Sequence, residues 1–219
     1  MKQLSLAISA ALALSTAAFW AAPAAAEVYQ MGIAPNGLAT VQRIDVFRDG
    51  QWVPVREITR VVSRSDPASP LTLHTSRIVR LDDPGSAVME EQYWGRYTLL
   101  ERYAGAYGAW TCTSTIAPEQ MRVLRVGAAV SYTTTCTNGA QSETQSWTRR
   151  VLQAENIRAA GKYYPAVVYD EELTAADGTR TQMRRWFVLS LGIRVRSEWT
   201  VTAGATATRY REEMVSVNR

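Results

Sequence analysis

Between residues 193 and 201 the chain changes character at every step. Ile193, Val195, Ser197, Trp199 and Val201 alternate with Arg194, Arg196, Glu198 and Thr200. A period of two sends successive side chains to opposite faces of a strand, so this stretch has one wall for a core and one for water. The same period, rather than 3.6, runs through most of the chain, together with many β-branched and aromatic residues. That pattern restricts the fold to antiparallel strands. Helix is expected only over residues 117–122 and 153–159.

Turn chemistry divides the strands. Residues 41–48 and 51–59 flank Asp49-Gly50, a pair suited to a two-residue hairpin turn because both central positions accept positive φ. Asn138-Gly139 separates residues 132–137 from 141–152, and Asp177-Gly178 lies between 163–174 and 180–190. A final strand over 206–217 follows Ala203-Gly204. Residues 71–81 and 93–103 are read as two further strands, separated by Asp82-Asp83-Pro84-Gly85. Residues 64–70, with two prolines and small polar residues, read as a flexible loop.

The N-terminus reads as a secretory signal. Lys2 supplies a charged start, residues 4–20 an apolar stretch, and Ala24-Ala25-Ala26 the small residues of a cleavage step, so Glu27 is the expected mature N-terminus. Residues 27–219 are then a single β domain of 193 residues. A chain of that length buries roughly 70% of its unfolded surface in one core. No second apolar run approaches spanning length, so no transmembrane segment is expected in the mature chain. Export to the periplasm follows.

Without Lys2, 23 basic residues stand against 20 acidic ones. A net charge of +3 is too mild for a nucleic-acid partner. The charges are unevenly placed, with eight arginines between Arg180 and Arg219 and five acids between Asp82 and Glu101. Solvent-facing strand positions account for most of them.

Cys112 and Cys136 are the only cysteines, and an oxidising compartment pairs them. Trp110, Cys112, Ser114 and Ile116 share one strand face, and Val130, Tyr132, Thr134 and Cys136 share another. Both sulfurs are expected on the apolar side. A redox role would call for a C-x-x-C motif, which is missing.

Three segments carry a family resemblance. MRVLRVGAAVSYTTT leads into a hairpin with Asn138-Gly139; ENIRAAGKYYPAVVYDEE places Ala160-Gly161 before an aromatic and a strand; WFVLSLGIRVRSEW ends on Trp186, Leu191-Gly192 and a charged strand to Trp199. In this order of features, residues 121–199 resemble a bacterial family of exported domains of unknown function that includes TapB-like proteins. The resemblance implies an envelope-located β-roll or half-open barrel, a single curved antiparallel sheet with little helix. It brings no activity and no functional residue.

Catalytic patterns are scarce. His74 is the single histidine, on the face opposite Leu71 and Leu73, and it reads as a solvated strand residue. No Gly-x-Ser-x-Gly elbow, phosphate-binding glycine loop or metal-ligand set is found. Glu90-Glu91 and Glu171-Glu172 are neighbours that point to opposite faces, while Asp170 and Glu172 share one. No cofactor is expected.

Aromatic residues are the remaining resource. Trp94, Trp110, Trp147, Trp186, Trp199, Tyr163, Tyr164 and Tyr169 could line a groove, although Trp110 and Trp199 read as core. The expectation is a non-catalytic envelope protein, structural or binding a lipid or glycan in the concavity of a curved sheet. Trp147, Trp186, Tyr164, Arg184 and Arg194 are the candidate contacts, and a peripheral membrane or envelope-protein contact is the companion expectation. The alternatives are a carboxylate-dependent hydrolase of envelope glycans and an assembly component acting through an edge strand.

Overall fold

The computed structural model describes residues 27–32, 34–63, 72–94, 100–106, 108–117, 120–121 and 123–218. The expected signal sequence and the loop at 64–70 lie outside these. Among the described residues the strands are β1 (Val28–Gln30), β2 (Ala39–Arg48), β3 (Gln51–Ser63), β4 (Thr72–Arg80), β5 (Val88–Trp94), β6 (Leu100–Gly105) and β7 (Gly108–Ser114). They continue as β8 (Val123–Arg125), β9 (Ala129–Thr137), β10 (Ser142–Ala159), β11 (Lys162–Ala175), β12 (Arg180–Val188), β13 (Ile193–Ala203) and β14 (Thr206–Asn218).

Twelve of these strands form one closed antiparallel barrel in the order β10-β11-β12-β13-β14-β2-β3-β4-β5-β6-β7-β9, and β1 pairs with β8 in a separate two-stranded sheet. The predicted all-β, antiparallel curved sheet is thus found, and its curvature carries it fully round. Closure leaves the main sheet with no unpaired edge strand. No described helix is long and apolar enough to cross a membrane.

The hairpins sit where turn residues placed them. Arg48 pairs with Gln51 around Asp49 (φ 50°) and Gly50 (φ 78°), the two positive φ values a tight twisted hairpin needs. Around Asn138 the connection is longer. The Asn138 side-chain oxygen accepts from the Gln141 N–H at 2.8 Å, and pairing starts at Thr137 with Ser142.

Two expectations are corrected. Residues 153–159 form the last third of β10, paired with β11 down to Ala159 opposite Lys162, because Ile157 and Ala159 are buried while Arg158 is exposed. Partnering across the hairpin overrides local helix propensity. The single strand read over 93–103 is replaced by the end of β5 and the start of β6, which pair with Trp94 opposite Leu100 and Gln92 opposite Tyr103; residues 95–99 lie outside the described residues. The helical candidate at 117–122 is partly outside the described residues; Gln120 and Met121 are helical.

Two apolar clusters hold one end of the barrel. In the first, β1 and β8 press Met31 and Leu124 onto Val151, Val167, Tyr169 and Phe187. In the second, Ile157, Ala166, Val168, Trp186 and Val188, from the other face of β10–β12, meet Leu38, Val62 and Met214. Below the Arg196–Glu213 pair β13 and β14 part, and the tip of the β10–β11 hairpin closes on β14, with Ala160 N–H donating to the Met214 carbonyl at 3.2 Å.

Candidate binding site inside the barrel

Directly opposed residues of neighbouring strands share a face, so the register identifies the interior wall. One row runs Met183, Trp199, Tyr210, Val46, Val53 across β12, β13, β14, β2 and β3. The next runs Tyr169, Arg185, Ser197, Glu212, Ile44, Arg56 across β11 to β3. Below these, Phe187 faces Arg194, and Thr40, Arg60 and Ser76 are in line across β2, β3 and β4. His74 lies four places along the wall from Arg194, yet its imidazole feels the Arg194 and Arg60 charges. Four strand spacings span about 19 Å along the wall. Groups that far apart influence one another by pointing into a shared interior.

At the hairpin end the interior opens into a cavity of about 630 Å³. Ile44, Val46, Val53, Val55, Val201, Trp199 and Tyr210 line it, and Arg48, Arg56 and Arg80 stand around it. The Trp199 and Tyr210 rings stack with centroids 5.3 Å apart at 17°. All three arginines are exposed, and Arg80 is paired with Asp82 through two hydrogen bonds of 3.0 and 2.6 Å. Apolar walls with cations at the entrance suit a ligand with a greasy body and an anionic group. A second cavity of about 430 Å³ lies on the same face around Tyr103, Trp110 and the Cys112–Cys136 disulfide. The two cysteines are directly opposite on β7 and β9, with Cα atoms 4.0 Å apart, so the predicted pairing is found.

Deeper in, polar groups replace apolar ones. Glu171 is enclosed by Arg149, whose Nε donates to Oε1 at 2.7 Å, and by an ion pair with Arg185. Burial works to raise the Glu171 carboxyl, but the adjacent Arg149 and Arg185 charges outweigh it and hold the group down at about 2. The Arg194 guanidinium is lowered to about 10, by burial first and by the Arg185 charge second. It is half-buried.

His74, read as a solvated strand residue, is corrected to an interior position. It is half-buried on the interior face, its ring 6.1 Å from Trp94, and it is pushed down to about 3 by burial and by Arg60 and Arg194. Closure of the barrel put what looked like the wet side of β4 inside.

The five predicted contact residues do not come together. Trp147 and Arg194 are on the interior face; Trp147 stacks on Tyr132 with centroids 6.1 Å apart, and its Nε1 is buried without a partner. Trp186 and Tyr164 belong to the apolar cluster beside Met214, where Trp186 Nε1 donates to Glu155 at 2.6 Å. Arg184 is on the outer wall, bonded to Asp170 at 2.8 and 3.1 Å.

That outer wall has an order of its own. Arg150, Asp170, Arg184, Glu198, Arg211 and Asp45 are successive cross-strand partners over six strands, alternating in sign at each step. A groove of about 580 Å³ runs over it, bordered by Trp52 and Arg209. Sequence reading missed the interior arginines 60, 149 and 185 and the entrance arginines 48, 56 and 80. A signal existed for two of them. Arg149 interrupts the stripe Trp147, Val151, and Arg185 the stripe Met183, Phe187.

No protein-family model matches this chain, and no curated protein does. Among solved structures, it is similar to a protein from Bacteroides fragilis described as exported and of YmcC-like fold, at 8% identity and a TM-score of 0.49, over 87% of this chain and 99% of that one. It is similar also to the hypothetical lipoprotein YmcC from Escherichia coli, at 15% identity and TM-score 0.42 over 86% and 92% of the chains. A third likeness is to a protein described as a lipoprotein from Parabacteroides distasonis, at 9% identity and TM-score 0.44 over 86% and 98%. None of the three descriptions names a ligand or an activity.

Proposed function

We propose that this chain is an exported, non-catalytic binding protein of the bacterial envelope, working in the periplasm, whose barrel mouth takes an amphipathic ligand bearing a negative charge. The carrying observation is the cavity of about 630 Å³ walled by Val46, Val53, Trp199, Val201 and Tyr210, with Arg48, Arg56 and Arg80 at its entrance. Apolar burial supplies affinity for the chain of such a ligand, at about 25 cal/mol per Å², and the arginines select its charged end. The TapB-like features of residues 121–199 and the signal-like N-terminus agree with this reading. Native mass spectrometry of protein purified from the envelope is the test. A co-purifying anionic lipid or lipid-linked glycan supports it; a bare protein that also fails to take up an anionic amphiphile overturns it.

A hydrolase reading draws on the outer groove, where Asp170, Glu172 and Glu198 share a lining with Trp52. Those acids are tied to cations, however. A hydrogen bond from Arg180 holds the Glu172 carboxyl below its usual range, opposite to what a general acid needs. Release of reducing sugar from envelope glycans, lost in Glu172→Gln, would bring that reading forward.

A further inference from the structure

Below the apolar cavity, the interior wall holds two guanidinium groups without a counter-ion. Arg60 donates from Nε to Ser76 Oγ at 3.3 Å and makes no ion pair with any described carboxylate; Arg194 makes none either. The nearby acids are engaged or distant. Glu171 is taken up by Arg149 and Arg185, Glu90 accepts from the Tyr103 hydroxyl at 3.0 Å, and Glu212 lies beyond ion-pair distance. His74, between the two arginines in effect, is kept neutral and adds no charge.

The same wall carries buried polar atoms with no partner. They are the Tyr169 hydroxyl, Ser197 Oγ, Arg185 Nε and Gln42 Oε1, on residues of which Tyr169, Ser197 and Gln42 are sealed from solvent at 0%, 3% and 1% exposure. Their positions are contiguous. Ser197 is directly opposite Arg185, Arg185 is opposite Tyr169, and Gln42 Nε2 donates to the Arg194 carbonyl at 3.3 Å. A buried donor or acceptor left unpaired is destabilising, and so is a partly buried guanidinium without a counter-ion. A fold that retains several of each on one wall is arranged around something that completes them.

We propose that Arg194 and Arg60, with the Tyr169 and Ser197 hydroxyls, form an interior site for a phosphate-type oxyanion, either free phosphate or the phosphate of a lipid headgroup. A dianion compensates both guanidiniums, its oxygens accept from the hydroxyls and from Arg185 Nε, and Gln42 Oε1 accepts from a protonated phosphate oxygen. The site goes beyond the mouth cavity and stands without it, since free phosphate needs no apolar wall.

Thermal unfolding and isothermal titration with inorganic phosphate, and separately with dilauroyl phosphatidic acid in neutral detergent micelles, test this at constant ionic strength set with sodium chloride. Wild type is expected to show saturable binding and a Tm raised by about 3–6 °C at tenfold excess over Kd. Arg194→Met is expected to weaken binding at least tenfold, while Arg180→Gln on the outer wall, where Arg180 pairs with Glu172, leaves inorganic phosphate binding unchanged. Response to inorganic phosphate identifies a free-oxyanion site; response to the phosphatidic acid alone identifies a headgroup site. No saturable response to either, or full retention in Arg194→Met, overturns the proposal. Should Arg194→Met fail to fold, Arg60→Gln and Ser197→Ala decide it by the same criteria. Failure here with uptake of amphiphile at the mouth would leave the binding function standing.

Discussion

Arg149 on β10 and Glu171 on β11 are directly opposed partners whose side chains are 3% and 1% exposed, the most deeply enclosed ion pair among the described residues. Removing one member strands the other in the interior. Glu171→Gln is therefore expected to lower unfolding free energy by about 3–5 kcal/mol in urea at neutral pH. The folded-state carboxyl sits at about 2, below its ordinary 4.5, so its stabilisation is complete above pH 4.5 and lost as pH falls towards 2. The gap between wild type and Glu171→Gln must close over that window. A gap that stays constant with pH would contradict it.

His74, the single histidine, gives a second pH signature. Held at about 3 in the folded state, it stays neutral where the unfolded imidazole, near 6.5, takes a proton. Folding stability should be full above pH 6.5 and decline on acidification towards 3, with a slope of up to about 1.4 kcal/mol per pH unit from this group. Replacement by Gln flattens that part of the profile. The imidazole proton resonances should show no titration near 6.5.

Val201 projects into the mouth cavity from the β13 wall and is only half-buried. Val201→Trp should fill that space, cutting the affinity for an anionic amphiphile such as 1-anilinonaphthalene-8-sulfonate at least tenfold while moving Tm by less than about 2 °C, because the added ring enters open volume. Arg56→Gln should weaken the same binding by a smaller, salt-dependent factor. Fluorescence titration reads both.

Loss of the Cys112–Cys136 bond, in the double Ala variant, releases a separation of 24 residues in the unfolded chain. Loop entropy puts the cost at about 3 kcal/mol, or roughly 6–12 °C in Tm for a domain of this size. Because Cys112 and Cys136 border the second cavity, amphiphile binding at the Trp199 mouth should be retained.

Much of this architecture was legible where alternation and turns agreed. Asp49-Gly50 turns where it should. Ile193, Val195 and Ser197 are all buried, but the register shift opposite Trp186 and Phe187 puts Ile193 and Val195 in the cluster with Trp186 and leaves Ser197 on the opposite, interior face, so the single core wall read from the alternation is broken in two. Two things were not legible. Residues 153–159 offer a helix by local preference, and only the distant register with β11 makes them strand. Closure was invisible as well, since it is made by β14, the last strand, pairing with β2 across almost the whole length of the chain. Without closure, His74 sits on what looks like a wet face; Arg194 turns inward because the register shift opposite Trp186 and Phe187 breaks the alternation of β13. The buried network was recoverable in part, because Glu171 lies between Tyr169 and Leu173 on one face, an acid within an apolar stripe.

The alternating ladder from Arg150 to Asp45 bears on where such a cylinder can reside. Barrels that traverse outer membranes present hydrocarbon-compatible side chains outward, and a midplane arginine there costs about 2–4 kcal/mol. Half the circumference of this one carries guanidinium and carboxylate groups in turn. Those six staves must stay in water or against a polar surface, whatever the mouth engages.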